Sequence, residues 1–257
     1  MPGPTEKAET FTRLHVPGSP VVLFNIWDPG SARAVARSGA KALATGSWSV
    51  AAAFGFEDGE ALPLDLALEN LRRIVSAVDL PVTLDFEGGY GTTPEAVATN
   101  FARALDAGAV GCNFEDGVLG AEDRLYPIEE QAARIRALRE AAERSGIPAY
   151  VNARTDLFLN AGPEDHTPAL VEQALERAAA YEKAGASGFF VPGLVDEELI
   201  RTVCAGTALP VNVMWFEGVP EAKRLAELGV ARISHGPGPY RLAMKALEEA
   251  ARTIYAG

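Results

Sequence analysis

Apolar residues along this chain fall into two alternating patterns. Short, nearly continuous apolar runs occur at Val21–Trp27, Ala42–Ser47, Val82–Phe86, Gly111–Phe114, Ala149–Ala153, Gly188–Val191, Val211–Met214 and Ala231–Ser234. Runs of this length without polar alternation predict strands covered on both faces, as in a parallel sheet. Between them, apolar positions recur three and four residues apart, as in Leu64–Val78 and Ala169–Ala184. That spacing predicts helices with one buried stripe. Several of these helices end alike, in Ser38-Gly39-Ala40, Ala107-Gly108-Ala109, Ala184-Gly185-Ala186 and Leu228-Gly229-Val230. A glycine just past a helix takes the left-handed conformation that closes the last turn and releases the chain into the next strand. Eight such strand-and-helix units in 257 residues predict a (β/α)8 TIM-type barrel, with an open doubly wound sheet as the alternative. No Ser/Gly-rich or charged linker breaks the repeat, so residues 1–257 are expected to form a single domain.

Composition narrows the partners. With 23 Lys and Arg against 35 Asp and Glu, the net charge is −12. A surface of that sign argues against nucleic-acid phosphates and anionic membranes as partners. No apolar stretch reaches the roughly 18 residues a membrane span needs, and the opening MPGPTEKAET lacks the basic segment and apolar core of a secretion signal. A cytoplasmic location is the resulting expectation. Cys112 and Cys204 show no metal-ligand spacing and read as packing residues.

Polar residues with chemical potential collect at one end of the predicted strands. Asp28, Thr45, Gly46, Ser47, Asp85, Glu87, Glu115, Asp116, Arg154, Asn212 and His235 all stand at or just past a strand's carboxyl end, where barrel enzymes build their active sites. A hard cation such as Mg²⁺ takes oxygen ligands, keeps several waters and needs only one or two direct carboxylates. Asp85, Glu87 and Glu115 meet that need, partly through water, although a lone carboxylate in such a place is as readily a helix cap or a loop acid. Arg154, always charged, is suited to hold a carboxylate with two hydrogen bonds; its structural alternative is an ion pair with Glu115 or Asp156. Gly46 and Ser47 offer backbone N–H groups for a substrate carboxylate. His235 reads as structural, and His15 and His166 as loop residues. The sequence contains no zinc spacing, no Gly-x-Ser-x-Gly elbow and no Gly-rich phosphate loop.

Taken together, these pieces resemble the isocitrate lyase/phosphoenolpyruvate mutase superfamily. The resemblance runs from Asn25-Ile26-Trp27-Asp28 through Thr45-Gly46-Ser47, Gly55-Phe56-Glu57-Asp58, Asp85 to Gly91, Phe114-Glu115-Asp116 and Asn152 to Asp156, to Pro210 to Met214 and Leu228-Gly229-Val230. It implies a barrel whose last helix is often exchanged between subunits, hence a homo-oligomer (dimer or tetramer). It also implies a Mg²⁺ or Mn²⁺ ion and a small 2-oxo acid or its enolate as ligand. By the same resemblance Asp85, Glu87 and Glu115 are metal-site residues, Arg154 contacts substrate and enolate oxygen, and Gly46 and Ser47, with Thr45 and Asn212 near them, bind substrate. Asp58 matches an acid near the metal's water shell.

Departures from the pattern narrow the reaction. The loop after strand 4 reads Gly117 to Pro127 and lacks the cysteine of the superfamily's retro-aldol lyases. It offers Glu122 and Asp123 where the phosphonate-handling branch needs cationic or neutral groups, although Arg124 partly offsets them. Glu87 stands where the pattern commonly has Asp, and the chain ends about one helix after the last strand. The expected chemistry is a metal-dependent lyase reaction on a small 2-oxo acid, such as decarboxylation or C–C cleavage of an oxaloacetate-like substrate. Water or a group such as Tyr126 would return the proton. The alternatives are P–C chemistry on phosphonopyruvate, as mutase or hydrolase, and a non-catalytic 2-oxo acid binding protein.

Overall fold

A computed structural model describes residues 2–121 and 124–256. Its strands are β1 Val21–Leu23, β2 Leu43–Ala44, β3 Val82–Asp85, β4 Gly111–Glu115, β5 Tyr150–Arg154, β6 Gly188–Phe190, β7 Val211–Met214 and β8 Arg232–Ser234. Its helices are α1 Pro4–Arg13, α2 Pro29–Arg37, α3 Ser47–Phe54, α4 Leu64–Ala77, α5 Pro94–Asp106, α6 Ile128–Arg144, α7 Leu157–Asn160, α8 Pro168–Lys183, α9 Glu197–Gly206, α10 Ala222–Glu227 and α11 Gly238–Tyr255. Every strand pairing is parallel, in the order β1-β8-β7-β6-β5-β4-β3-β2, and a bridge from Ile26 to Thr45 closes the ring between β1 and β2. The (β/α)8 barrel is therefore the observed fold, and the open sheet is excluded.

The four turn glycines behave as their sequence context requires. Gly39, Gly108, Gly185 and Gly229 have φ of 96°, 101°, 97° and 97°. Strands β1 and β2 are shorter than their apolar runs by several residues. Past Leu23 and Ala44 the chain leaves the ladder to build the mouth, where the Asn25 side chain donates to the Thr45 carbonyl at 2.9 Å.

Opposite the mouth, α1 covers the amino-terminal ends of the strands. Phe11 and His15 pack on Tyr150, the His15 ring stacked at 4.0 Å between centroids. At the other end of the chain α11 departs from the other long helices, since Pro239 is the only buried residue among its 18. Leu242 and Leu247 are each 63% exposed, and Ile254 is 76% exposed. Along β1 an apolar groove of about 770 Å³ lies open, lined by Leu14, Val16, Val22, Phe24 and Val35 among others. No described helix is long and apolar enough to cross a membrane.

Candidate active site

Parallel register sets the chemistry of the mouth. It pairs Glu115 at the end of β4 with Arg154 at the end of β5, and Asp85 at the end of β3 with Asn113. The Arg154 guanidinium then donates through Nη1 to Glu115 Oε1 at 2.6 Å and through Nε to Asp156 Oδ1 at 2.6 Å. Asp85 Oδ2 accepts the Ser47 N–H at 2.9 Å, Asp85 Oδ1 accepts from Asn113 Nδ2 at 3.3 Å, and the Asp85 N–H is held by Thr45 Oγ1 at 2.9 Å. Arg154, Asp85, Asn113 and Ser47 open onto a pocket of about 150 Å³, whereas Glu115 and Asp156 line, with Glu87, a second one of about 240 Å³. Gly46, Ser47, Asp58, Asp85, Asn113 and Arg154 line the polar side of the first, and Trp48, Phe190, Met214 and Pro237 its apolar side. The larger groove along β1 contains none of the strand-end acids.

A turn after β3 carries the second acidic group. Glu87, Gly89 and Tyr90 all take positive φ, at 49°, 87° and 54°. Two of the three are not glycine, so other contacts must hold them there. Asn100 Nδ2 donates to the carbonyls of Gly89 and Tyr90, and buried Arg134 donates to those of Gly88 and Gly91. Glu60 and this turn lock reciprocally: Glu87 Oε2 accepts the Glu60 N–H at 2.6 Å, and Glu60 Oε1 accepts the Tyr90 N–H at 2.7 Å. The Tyr90 hydroxyl donates to Glu87 Oε1 at 3.0 Å. Both Glu87 oxygens thus already hold the loops together.

The electrostatics are those of crowded acids. Burial, with the Asp58 and Asp85 charges adding to it, pushes Glu87 up to about 7. Asp58 at the rim is raised by desolvation and then by Asp85, against a hydrogen bond from the Ser47 side chain. Burial also holds Glu115 well above the ordinary carboxylate range, and Arg154 draws it back. Burial opposes the charge on Arg154, but Glu115 and Asp156 outweigh it and raise its pKa. With a permanent cation 2.6 Å away, Glu115 and Arg154 form an ion pair.

The three acids expected at a metal do not converge as a set. Among the described residues no group of three or more His, Cys, Asp or Glu side chains forms a ready-made cage. Glu115 is engaged by Arg154 and Glu87 by Glu60 and Tyr90. Asp85, with Asp58 nearby across Ser47, is the oxygen donor facing the pocket, and one or two carboxylates with water suffice for Mg²⁺. A divalent cation there would relieve the repulsion that raises Asp58, so the residues present fit such an ion.

Other expected site residues are used differently. Asp28 caps α2, accepting the Ser31 N–H at 2.6 Å. Asp116, fully buried, takes the Asp156 N–H, Arg177 and the Tyr181 hydroxyl, and so pins the base of the β4 loop. Asn212 is spent on Ser234 inside the barrel. Gly46 and Ser47 do line the pocket, but their N–H groups go to the Ile26 carbonyl and to Asp85, so neither is free as a carboxylate cradle. His235, read from the sequence as structural, packs between Phe24 and Trp215 and does not itself line the pocket. Tyr126 is buried with its ring 4.0 Å beneath the Arg134 guanidinium and lines none of the pocket. Glu122 and Asp123 lie outside the described residues. Glu60, Asn113 and Phe190 are not singled out by the sequence, and Asn25 enters there only as part of a motif, without a role. Asn25 and Asn113, polar residues inside otherwise apolar runs, are the legible signals.

A parallel (β/α)8 barrel with acids and one clamped arginine at its carboxyl-end mouth defines a class of enzyme scaffold. Residues 11–255 match the family described as phosphoenolpyruvate phosphomutase, and the chain belongs to it, within the isocitrate lyase/phosphoenolpyruvate mutase superfamily. It is 31% identical over 256 residues to the oxaloacetate decarboxylase of Pseudomonas fluorescens (strain SBW25), covering 95% of this chain and 83% of that one. A solved structure from Burkholderia cenocepacia J2315, provisionally described as a phosphonomutase, is 53% identical with a TM-score of 0.95, covering 99% of this chain and 100% of that one. The structure of 2,3-dimethylmalate lyase is 27% identical with a TM-score of 0.85, covering 97% and 87%.

Proposed function

We propose that this protein is a Mg²⁺- or Mn²⁺-dependent lyase that cleaves a small 2-oxo carboxylate through an enolate, by oxaloacetate-like decarboxylation or a related C–C cleavage. The observation that carries the reading is Arg154, clamped by Glu115 and Asp156 and lining, together with Asp85, a pocket of about 150 Å³. A volume that small suits a short acid. The likeness to an oxaloacetate decarboxylase supports the same choice.

Each residue then has a task. Arg154 stabilises negative charge on the substrate's 2-oxo oxygen as the bond beside it breaks. Asp85, with Asp58, holds the divalent ion, which when bound supplies Lewis-acid polarisation of the substrate oxygens. Helix α3 starts at Ser47 with no side-chain cap, so its remaining first-turn N–H groups suit a substrate carboxylate. Phe190 and Met214 keep water from the apolar wall. Glu87 acts at one remove, tying the β3 turn to Glu60. The test is pyruvate formation from oxaloacetate and 2-methyl-substituted malates, and glyoxylate formation from isocitrate, above the metal-only background. Turnover lost on chelation supports the reading; no turnover of any of them sinks it.

A second reading, P–C chemistry on phosphonopyruvate, is favoured by the 53% identical relative. Against it, Arg154 is the only cation lining the pocket among the described residues, and two acids already hold it. Phosphate release or phosphoenolpyruvate formation from phosphonopyruvate would decide for it.

We also propose that α11 crosses to a second copy of this chain. Its exposed apolar positions match the open apolar groove along β1, which would make the protein a homo-oligomer.

A further inference from the structure

Arg232 opens β8 inside the barrel and is fully buried. Its polar contacts among the described residues are neutral: Nε donates to Ser234 Oγ at 3.2 Å and Nη2 to Asn113 Oδ1 at 3.0 Å, while Nη1 has no partner. A buried cation without a paired carboxylate is costly, and an apolar residue of the same size is often at least as stable. Stability does not explain its presence.

Geometry supplies a reason. Asn113 Oδ1 receives a second donor, Asn152 Nδ2, at 2.9 Å. Arginine can only donate, so the Asn113 amide cannot flip without setting its NH₂ against that guanidinium. Its NH₂ must therefore face Asp85 Oδ1, where it lies at 3.3 Å. The Ser47 N–H fixes the other Asp85 oxygen at 2.9 Å. A line of hydrogen bonds thus runs from β8 through β4 to β3, beginning at a sealed charge and ending on the acid that faces the pocket. Phe11 of α1 closes its lower end, 6.0 Å from the guanidinium.

We propose that Arg232 is a positioning residue for the reaction: through Asn113 it sets the orientation of the Asp85 carboxylate toward the pocket. The proposal rests on the reading of Asp85 as the acid that holds the divalent ion.

The test compares wild-type protein with Arg232→Met, Arg232→Lys and Asn113→Asp. It reads Mn²⁺ affinity by calorimetry, kcat and KM separately for oxaloacetate, and the melting temperature. Arg232→Met is expected to lower Mn²⁺ affinity and kcat by about 10- to 100-fold, as loss of a group that orients a metal ligand does. Its melting temperature should not fall, and Arg232→Lys should restore part of the loss. A purely structural role predicts the reverse, a lower melting temperature with kcat and affinity unchanged, and would overturn the proposal.

Asn113→Asp covers the case in which Arg232→Met does not fold. It gives Arg232 a counterion but sets an acceptor against Asp85, so kcat should drop and Mn²⁺ affinity should change about tenfold or more. Wild-type values in that variant would overturn the proposal. Should the wild-type protein turn over no 2-oxo acid, the lyase reading falls on its own. The Mn²⁺ affinities of the two variants then still decide the role of Arg232.

Discussion

Arg154 Nη1 donates to Glu115 Oε1 at 2.6 Å, across two strands whose register sets the residues side by side. The contact fixes the guanidinium of a residue that lines the pocket. We expect Arg154→Ala to lower kcat/KM by at least about 100-fold, the scale of losing one transition-state charge stabiliser. It should also cost about 3 kcal/mol of stability, because Glu115 is left buried without its partner. Arg154→Lys should keep most of the stability and recover only part of the rate, since an ammonium cannot bond both acids as the planar fork does. Steady-state kinetics with urea unfolding measure both; unchanged turnover in Arg154→Ala would remove the arginine from the mechanism.

The β3 turn gives a second expectation. Gly89 has a φ of 87°, and a Cβ there would lie 2.9 Å from both Phe114 and Val97 side chains. Gly39 has a φ of 96° but nothing within 4 Å of a Cβ. Gly39→Ala should therefore cost only its backbone strain, about 1 kcal/mol. Gly89→Ala should cost about 1–3 kcal/mol more through the clash, and should also displace Glu87 and Tyr90. Parallel urea titrations of the two variants test the ordering. Equal losses would mean that the turn is softer than its contacts imply.

Much of this architecture was legible in the sequence, and the reasons are physical. Two-sided burial makes parallel strands read as unbroken apolar runs, and Gly39, Gly108, Gly185 and Gly229 mark the turns because only glycine takes that φ cheaply. Position at a strand end was also readable, which is why Asp85, Glu115 and Arg154 arrive together. Division of labour among the acids was not. Asp28 caps its helix through Ser31, three residues on, but whether a carboxylate pins a loop, as Asp116 and Glu87 do, or faces the pocket, as Asp85 does, depends on donors far away in sequence. Glu60 is one of those donors, and nothing local to it signals its bond to Glu87.

His15 carries the pH dependence of stability best separated from the site. Burial, and then the Arg232 charge, lower its pKa from 6.5 to about 3, so the folded protein keeps it neutral with the ring bonded to the Phe11 carbonyl at 2.8 Å. Above about pH 6.5 neither the folded nor the unfolded chain protonates it, and it contributes no slope. As pH falls from there toward 3, the unfolded chain takes up a proton that the folded chain refuses. Stability should therefore decline by up to about 1.4 kcal/mol per pH unit from this group. His15→Phe retains a ring against Tyr150 and should flatten the profile between pH 4 and 6 by close to one proton. Superimposable pH profiles for the two proteins would show that His15 is protonated in the fold.

Helix α11 yields the prediction with the largest structural consequence. Ala243, Leu247, Ala250 and Ile254 recur three and four residues apart along a helix that buries almost nothing of itself, while Val22 and Phe24 on β1 stand 44% and 39% exposed. On the proposed exchange these exposed apolar surfaces, one a helix face and the other a groove, would be the two halves of an interface. Each copy would donate a helix and accept one, a closed two-fold exchange with no surface left to propagate. Leu247→Glu on the helix and Val22→Glu in the groove should each dissociate the assembly, because either places a charge in the same apolar contact. Sedimentation at micromolar concentration distinguishes the outcomes. A wild-type monomer would refute the exchange. Dissociation by the helix variant alone would show that α11 docks somewhere other than the groove along β1.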